Sequence, residues 1–437
     1  MKTDAVSLSV HLPPAARFLP LATSFAEESA AAFGLKPAEA LKLTLACEEI
    51  FLFLGRAGID KEAITIEAKD GGYYIQLTFL FSAAEINLRA FNLTAVVSAD
   101  DSESLEEMGL LIASRSVERF SIAHNLHHGM ELALIKEKTY PEATGIQIPA
   151  VKPLESFRIA TPDPEGLKLF VRLAAAHYPP HLCPHSFSFP GKVVDMAASG
   201  EYSAATATDG KGQTGGGIFW RRMGSRTVEF FGPFLFNQRA DSGQAEALVD
   251  ACIGEIAKTD ALCLINRHPT PELPLGYFES LGDVDLVQPD GRVIVLPVYY
   301  RQLREDPGCQ VWAHPALEPF LKEEYRRLVM PREIRTTVHE GEQRPPCSVF
   351  APQFDRLNHR ITLRAIWDGV DAARNLARHV KTLKADNLPN IFFEIDLGSA
   401  WQAGMTVPLL EQGFTPRLVL PYGGVGDVVV FQYKGES

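Results

Sequence analysis

A short, turn-rich stretch in the middle of the chain carries residue types that bind phosphate. The apolar run Phe230–Phe236 precedes it, and Ser242-Gly243-Gln244-Ala245 lies at the predicted start of a helix. Free backbone N–H groups and the positive end of the helix dipole favour an anion at such a position. The same residues also fit a helix start without a ligand, with Ser242 as the N-cap and Gly243 as a turn residue. Both interpretations stay open.

A second group of residues has the chemistry of metal ligands. His181, Cys183 and His185 alternate along the chain, so an extended backbone would place the three side chains on one side. Zinc accepts such ligands, but a structural zinc site needs a fourth one and usually has more widely spaced pairs. We therefore expect no metal centre here.

The bulk composition excludes several classes of protein. The chain has 437 residues, of which 46% are hydrophobic and 22% charged, and its net charge is -12. This composition is typical of a soluble globular protein of about two to four domains. The negative charge argues against sequence-independent nucleic-acid binding, which needs clustered Lys and Arg. We expect neither nucleic acid nor membrane as a partner, because no apolar run approaches the length of a membrane span.

The predicted location is the cytoplasm. The six cysteines are scattered without close pairs, and in a chain of this size they indicate reduced thiols. No apolar segment of the kind found in a secretory signal follows Met1.

The last third of the chain repeats the order of the elements predicted for its middle. The offset is roughly 130 residues, which is the size of a domain and too long for a solenoid repeat. A duplication of this kind lets one copy keep a chemical function while the other serves packing. The matching pairs are Ala261–Asn266 with Asn390–Ile395, Ser242–Lys258 with Val370–Leu383, and Val293–Tyr299 with Val428–Tyr433.

Strand and helix patterns alternate throughout, which predicts an α/β (α+β) protein. A stretch rich in Pro and Gly is a credible linker after the first segment. The predicted organisation is a first domain at 1–140, a linker at 141–155, a second domain at 156–298 and a third at 299–437.

The first segment resembles the GHKL (HATPase) fold of anti-sigma factor serine kinases and histidine kinases. The resemblance rests on Leu41–Ile50, which contains Glu48-Glu49, and on the helix at Met108-Gly109-Leu110. It implies an α/β sandwich with Glu48, Glu49 and Gly109 at a nucleotide site, and a regulatory protein partner. The alternative is that the two glutamates belong to the solvated face of a helix. Phe53 stands where the family places a metal-positioning Asn, and a phenyl ring offers Mg²⁺ no oxygen, so we expect a degenerate domain without ATP or magnesium.

The middle segment resembles the GCN5-related N-acetyltransferases (GNAT). The resemblance rests on a strand that enters a Gly-x-Ala turn at a helix start, and on an Asn that ends the following strand. It implies a mixed sheet in which the two strands splay to admit the pantetheine arm of acetyl-CoA or another acyl-CoA; closed pairing there would imply a dead site. The cofactor-binding residues that the resemblance implies are Arg239, Ser242, Gly243, Gln244, Ala245 and Asn266.

The same resemblance implies candidates for catalysis. Tyr277 would protonate the leaving thiolate, although Phe278 occupies the strict family spacing and Tyr277 lies one residue earlier. His185 or Glu201 would serve as general base, because an amine nucleophile must lose a proton. The acceptor would be an amine on a small molecule or a protein. A packing role for Tyr277 fits equally well.

The third segment carries the same outline with less chemistry. Asp368-Gly369-Val370-Asp371 replaces the phosphate turn, and carboxylates there would repel phosphate. Leu409 occupies the position of the tyrosine. We expect a second GNAT-like domain without catalysis. Two hypotheses follow: an acyl-CoA-dependent N-acyltransferase with a regulatory N-terminal domain, or a non-enzymatic regulatory protein, anti-sigma-factor-like, that binds a partner through degenerate domains.

Overall fold

The computed structural model describes residues 6–56, 63–82, 87–95, 102–125, 129–143, 148–239, 241–337 and 343–435. Helices and strands alternate along these ranges, which confirms the mixed α/β class. The chain divides into two compact units. The first comprises Met1–Thr139, Glu342–Pro352 and Leu363–Thr382, and the second comprises Tyr140–Gly341, Gln353–Thr362 and Leu383–Ser437. Parts of 299–437 belong to each unit, so the division into three domains stays a prediction.

The N-terminal part of the first unit consists of one antiparallel sheet and three helices. The strand order is β1-β2-β3-β5-β4. The strands are β1 (Ser7–Leu12), β2 (Ile64–Asp70), β3 (Tyr74–Phe81), β4 (Arg119–Asn125) and β5 (Gly129–Glu137), and the helices are α1 (Leu19–Ala32), α2 (Pro37–Arg56) and α3 (Ser102–Ser116).

The β2–β3 hairpin shows why these residues form these elements. Asp70-Gly71-Gly72 predicts a tight turn; the Asp70 carboxylate accepts from the Gly72 N–H at 2.8 Å, and Gly72 has a φ of 81°, which suits glycine. Apolar residues of α2 and the strands form one core, and Val349 and Trp367 from the later part of this unit also belong to it.

A seven-stranded sheet dominates the second unit. Its order is β11-β12-β10-β9-β8-β7-β6, in which β9 and β10 are parallel and the other neighbouring pairs are antiparallel. The strands are β6 (Arg158–Ala160), β7 (Tyr202–Thr208), β8 (Thr214–Arg222), β9 (Thr227–Leu235), β10 (Cys263–Asn266), β11 (Glu279–Val287) and β12 (Val293–Gln302); the helices are α4 (Pro164–His177), α5 (Pro190–Ala198) and α6 (Gln244–Ile256).

The helix α6 covers the centre of this sheet. Its buried residues Leu248, Val249, Cys252 and Ile256 recur at helical spacing and pack with Phe230 of β9. Almost every residue of β9 is buried, which is typical of a central strand covered on both faces.

The remaining elements include a small parallel pair, β13-β14, and a five-stranded sheet of order β15-β16-β17-β19-β18. This order matches β8-β9-β10-β12-β11 position by position, as expected of the repeat. The elements are β13 (Cys309–Ala313), α7 (Glu318–Arg327), β14 (Arg332–Thr336), β15 (Val349–Asp355), β16 (Arg360–Trp367), α8 (Ala372–Ala385), β17 (Asn390–Asp396), α9 (Ala400–Ala403), α10 (Thr406–Glu411), β18 (Phe414–Leu420) and β19 (Val428–Tyr433).

None of the helices within the described ranges combines the length and the apolar character needed to cross a bilayer.

Candidate functional site

The parallel strands β9 and β10 pair over only part of their length. Their register ends with Ile265 opposite Glu229; β10 stops at Asn266, whereas β9 continues to Leu235. Past Glu229, the edge of β9 therefore has no strand partner on the β10 side. We call this part of β9, residues 230–235, the splayed edge, because it is where the sequence resemblance places the pantetheine arm.

Side chains that follow β10 occupy the first part of the splayed edge. The Asn266 side-chain amide donates to the Gly232 carbonyl at 3.0 Å, and the Thr270 hydroxyl donates to the Pro233 carbonyl at 2.6 Å. Both donors belong to buried residues. Pro233 has no backbone N–H to offer a ligand. Hydrogen-bond acceptors of β9 in this region are thus already used by the chain itself.

The phenol of Tyr178 occupies the end of the same edge. Its hydroxyl accepts from the Leu235 N–H at 2.8 Å and donates to the Leu235 carbonyl at 3.1 Å. Burial raises the pKa of Tyr178, so the hydroxyl keeps the proton with which it donates. One side chain therefore satisfies both backbone groups of Leu235, as a pairing strand would.

The loop after β10 is fixed in this position by further buried bonds. Asn266 Oδ1 accepts from the His268 N–H at 2.8 Å, and the His268 Nδ1–H donates to the His181 carbonyl at 2.7 Å. The His268 ring stacks on Phe231, with centroids 5.7 Å apart. Burial lowers the pKa of His268 to about 4, so the ring is neutral at neutral pH. Asn266 is fully buried, and in this structure it faces β9 rather than an open cleft.

A buried carboxylate that the sequence did not single out lies on β9 beside the edge. Glu229 is fully buried; Arg221 binds one of its oxygens at 2.8 and 3.0 Å, and Arg267 binds the other at 2.6 Å. Burial raises the pKa of Glu229, but the charges of Arg267 and Arg221 outweigh burial and hold that pKa well below its usual range. Because a general base works best with a pKa near the operating pH, this carboxylate is poorly suited to take up a proton.

The charged cluster extends to residues of the repeated half. Arg267 also approaches Glu394 at 3.4 Å, and Arg360 pairs with Asp355 at 3.3 Å. Burial lowers the pKa of Arg360. In the sequence, the available signal for this cluster was a single glutamate inside the apolar run of β9, since the partners are far away along the chain.

The predicted phosphate turn is open at its glycine. Gly243 is the N-cap of α6 with a φ of 68°, it is exposed, and no heavy atom lies within 4 Å of where a Cβ would stand. Ser242 precedes the N-cap, and Ala245 lies half-buried in the first turn. Arg239 is held by Asp241, with two bonds of 3.0 Å. This exposed pair neutralises the cation that the resemblance assigns to phosphate.

Beside this turn lies the segment predicted as a linker. The Gln238 carbonyl oxygen, Oε1, accepts from the Leu154 N–H at 2.9 Å, and the Asn237 amide donates to the Val151 carbonyl at 2.9 Å. The Gln244 amide donates to the same oxygen of Gln238 at 2.9 Å. Residues 151–154 are therefore bonded along the turn, and Gln244 is buried within it.

The structure does not bring the predicted catalytic residues into one group. Tyr277 ends a single 3-10 turn rather than a helix, and its ring lies 5.2 Å from the Arg301 guanidinium, partly buried against the core around α6. Glu201 directly precedes β7. Burial lowers the pKa of the half-buried Arg221, but the charge of Glu229, with a smaller contribution from Glu201, raises that pKa above its usual range. His185 is exposed and lies 6.0 Å from the Phe189 ring.

The metal-ligand types are dispersed as well. Among the residues that the structure describes, His, Cys, Asp and Glu form no group of three or more that could hold a metal ion. Burial raises the pKa of Cys183 to about 12, which disfavours the thiolate that zinc requires.

In the first unit, the candidate nucleotide residues lie on α2 and α3. Glu48 and Glu49 are half-buried, and a Cβ on Gly109 would collide with the Glu49 carboxylate. Phe53 packs against the apolar core. Phe53 supplies no oxygen ligand at the position where the resemblance implies one for Mg²⁺, and the Glu49 carboxylate lies against Gly109. Residues 83–86 and 96–101 lie outside the described part of the chain.

Comparisons with known proteins add a limited likeness. No family model matches the chain, and no curated protein does. Solved structures of GNAT acetyltransferases match about a third of it. A phosphinothricin acetyltransferase from Sinorhizobium meliloti, in complex with acetyl-CoA, is 15% identical over 34% of this chain and 88% of its own, with a TM-score of 0.28. An N-acetyltransferase from Staphylococcus aureus Mu50 is 13% identical over 34% of this chain and 100% of its own, with a TM-score of 0.30. An aminoglycoside 6'-N-acetyltransferase, complexed with coenzyme A, is 13% identical over 34% of this chain and 99% of its own, with a TM-score of 0.27.

The residues of the splayed edge do not fit the pantetheine arm of an acyl-CoA in this structure. The carbonyls of Gly232 and Pro233 and both backbone groups of Leu235 already have partners within the chain. The start of α6 is compatible with a phosphate, because Gly243 is open. A pantetheine arm would have to displace Tyr178 and the loop after β10, at a cost of buried hydrogen bonds.

Proposed function

We propose that this protein is a non-enzymatic regulatory protein that binds a partner, and that its acetyltransferase-like sheet serves as a scaffold. The observation that carries this proposal is the splayed edge, whose backbone groups bond to Asn266, Thr270 and Tyr178. Donors and acceptors that are satisfied and buried offer a cofactor no net gain, since binding would exchange existing hydrogen bonds for new ones.

The state of the carboxylate beside the edge supports the same proposal. Glu229 is fixed between Arg221 and Arg267 with a pKa well below its usual range. Among the residues that the structure describes, no hydrogen bond joins any two of Tyr277, Glu201 and His185. An acid and a base for proton transfer would have to lie within hydrogen-bond reach of one substrate, and nothing here places them so.

The first segment motivates the regulatory part of the proposal. Its resemblance to the anti-sigma factor kinases comes with Phe53 in the place of a metal-positioning Asn, and with a Glu49 carboxylate packed on Gly109. A domain of this kind that has lost magnesium chemistry retains its surface for a protein. The partner is therefore expected to be a protein that the ancestral kinase type regulates, such as a sigma factor or its antagonist.

The test of the non-catalytic claim is calorimetric titration of the full chain with acetyl-CoA and with coenzyme A. We expect no saturable heat at millimolar ligand. Affinity purification of the full chain from its native cells, followed by reconstitution with the purified partner, tests the regulatory claim. Failure to recover a partner that binds again after purification contradicts it.

A second candidate function is N-acyl transfer from an acyl-CoA to an amine, favoured by one observation. The start of α6 is open at Gly243, in the position where the GNAT resemblance places the pyrophosphate. Under this candidate, acetyl-CoA binds in the titration, and Gly243→Asp abolishes binding, because it introduces a like charge and a left-handed non-glycine residue. Tight binding to the wild type that Gly243→Asp removes would overturn the non-catalytic proposal.

A further inference from the structure

The second unit contains a cavity of about 610 Å³ that none of the candidate residues lines. It lies between the edge of the seven-stranded sheet, at β6 and β7, and the C-terminal half of α6. Its walls include Ile159, Ala204, Ala205, Trp220, Ala251 and Gly254. This volume falls in the range of small-molecule sites, which are typically about 300–1,000 Å³.

The sequence leaves this space unfilled because small residues face it from both sides. The strand β7 contributes Ala205, and α6 contributes Ala251 and Gly254, where larger residues would narrow the gap. Interiors are otherwise packed to crystal-like density. A space of this size beside an exposed edge is accessible to a ligand from solvent.

Gly254 gives an independent indication that the space is not a packing requirement. It lies inside α6, where glycine is less favourable than alanine for the helix. No heavy atom lies within 4 Å of the position of its missing Cβ, and its φ is not in the left-handed region. Neither a close contact nor the backbone conformation therefore requires glycine at this position. Gly254 is exposed and lines the cavity, so its missing side chain leaves the mouth of the cavity open.

The chemistry of the walls selects the ligand. Trp220 is half-buried and offers an indole face, and the alanines beside it are apolar. At the rim, the Lys258 ammonium pairs with the Glu255 carboxylate at 2.7 Å, and both side chains are exposed. Stacked aromatic rings are stabilised by more than the burial of their area alone. Because this pair carries no net charge, what the rim offers to a ligand is a hydrogen bond to one polar substituent.

We propose that this cavity binds a small aromatic molecule that carries one such polar substituent, with its ring against Trp220. This site is separate from the splayed edge: Gly243 and Gly254 lie at opposite ends of α6, about 16 Å apart along a helix that rises 1.5 Å per residue. The proposal consequently does not depend on whether the protein binds acyl-CoA or a protein partner.

The test uses 8-anilinonaphthalene-1-sulfonate, which has an aromatic body and one anionic group, with the full-length protein. Fluorescence titration and calorimetry measure its affinity and stoichiometry. We expect saturable binding at one molecule per chain. Gly254→Phe should weaken it about tenfold or more, because the new ring fills the cavity from a position with no clash. The matched control, Gly254→Ala, adds one methyl group and should change the affinity by less than about twofold.

Three results overturn the proposal. In the first, the wild type and Gly254→Phe bind the dye with equal affinity. In the second, Gly254→Ala weakens dye binding as much as Gly254→Phe does. In the third, the wild type forms no saturable one-to-one complex with the dye. Thermal unfolding of each variant verifies that it is folded. If Gly254→Phe does not fold, Ala251→Leu fills the same space from the next turn of α6, and equal binding by that variant overturns the proposal as well. Addition of acetyl-CoA should leave the dye affinity unchanged.

Discussion

The helices that follow the central strand in the two repeated halves, α6 and α8, have different surroundings at their first turns. At α6, Gly243 is exposed with open space at the position of a Cβ. Before α8, a Cβ on Gly369 would collide with the backbone of Cys347 and Ser348. Asp371, directly before α8, accepts from the Ser348 N–H at 2.6 Å and from its hydroxyl at 2.8 Å.

This difference teaches how a duplicated fold can lose ligand sites. At α8, the chain supplies its own carboxylate where a helix start would attract an anion. At the splayed edge of β9, it supplies an amide and two hydroxyls where a ligand would bond. In both cases, side chains of the protein itself bond to groups that a binding site would leave free for a ligand. The start of α6 is the part of the middle copy that stays open.

The two copies also bury charges of opposite sign. In the middle copy, one carboxylate, Glu229, lies between two arginines. In the later copy, Arg332 is buried between Asp306 and Asp427, at 2.7 Å from each. Each arrangement satisfies a central charge with two partners, which is the condition under which a buried ion is tolerated.

The largest effect should come from removing the central charge of the middle copy. Glu229→Gln leaves the half-buried guanidinium groups of Arg221 and Arg267 without their shared, fully buried carboxylate, so we expect the free energy of unfolding to fall by about 3 kcal/mol. Urea denaturation measures it. The control is Asp260→Asn, which removes an exposed partner of Arg222 and should cost less than about 1 kcal/mol. Equal losses of unfolding free energy in the two variants would show that the pairing of Glu229 with Arg221 and Arg267 stabilises the fold no more than an exposed ion pair does.

The second effect concerns the buried histidine of the loop after β10. In the unfolded state, His268 has a pKa near the ordinary value of 6.5, whereas in the folded protein its pKa is about 4. The unfolded state therefore holds more protons between these values, and stability falls as the pH drops from 6.5 to 4, by about 3 kcal/mol. His268→Gln should flatten this part of the profile of unfolding free energy against pH. An unchanged slope would mean that this ring titrates normally.

A third measurement compares the two helix starts directly. Gly369→Ala should cost about 3 kcal/mol, because the new methyl group overlaps backbone atoms that cannot move independently. Gly243→Ala should cost only about 1 kcal/mol, from the left-handed conformation alone. Thermal unfolding of both variants gives the comparison. If Gly243→Ala lowers the stability more than Gly369→Ala does, the start of α6 has less free space than the start of α8.

The smallest effect tests one bond of the splayed edge. Thr270→Val keeps the shape of the side chain but leaves the buried Pro233 carbonyl without its donor, so we expect a loss of about 1–2 kcal/mol. Chemical denaturation measures this loss. The control is Thr415→Val at an exposed position of β18, and its free energy of unfolding should be within about 0.5 kcal/mol of the wild-type value. No loss in Thr270→Val would indicate that the loop after β10 moves away from β9 readily.

Much of the fold could be predicted from local patterns. The Asp70-Gly71-Gly72 turn, the apolar spacing of α2 and α6, and the order of elements in both repeats are properties of short windows. The segment around Tyr277 is an exception: the structure has one 3-10 turn there, followed directly by β11, and local patterns did not indicate it. A short window there could not show that Phe278 stacks on Phe230, 5.3 Å away between centroids.

The candidate site was less accessible to sequence reasoning. Gly243 was found because a glycine at a helix start is a local signal. Tyr178 and Thr270 were missed, because a tyrosine after a helix and a threonine in a loop are common, and their bonds to β9 join residues far apart in the chain. Arg267 and its partner Glu229 were missed for the same reason, although a lone glutamate beside the apolar residues of β9 is a local signal.

By itself, the sequence determined the α/β class, the repeated order of elements and the position of the open glycine turn, since each depends on residues close together in the chain. Only the tertiary structure decided whether the edge of β9 was free or occupied. Whether this edge is occupied depends on the positions of Tyr178, Asn266 and Thr270, which belong to separate elements of the fold. Hydrogen bonds between distant residues form according to distance and direction in space, and the spacing of residues along the chain does not record them.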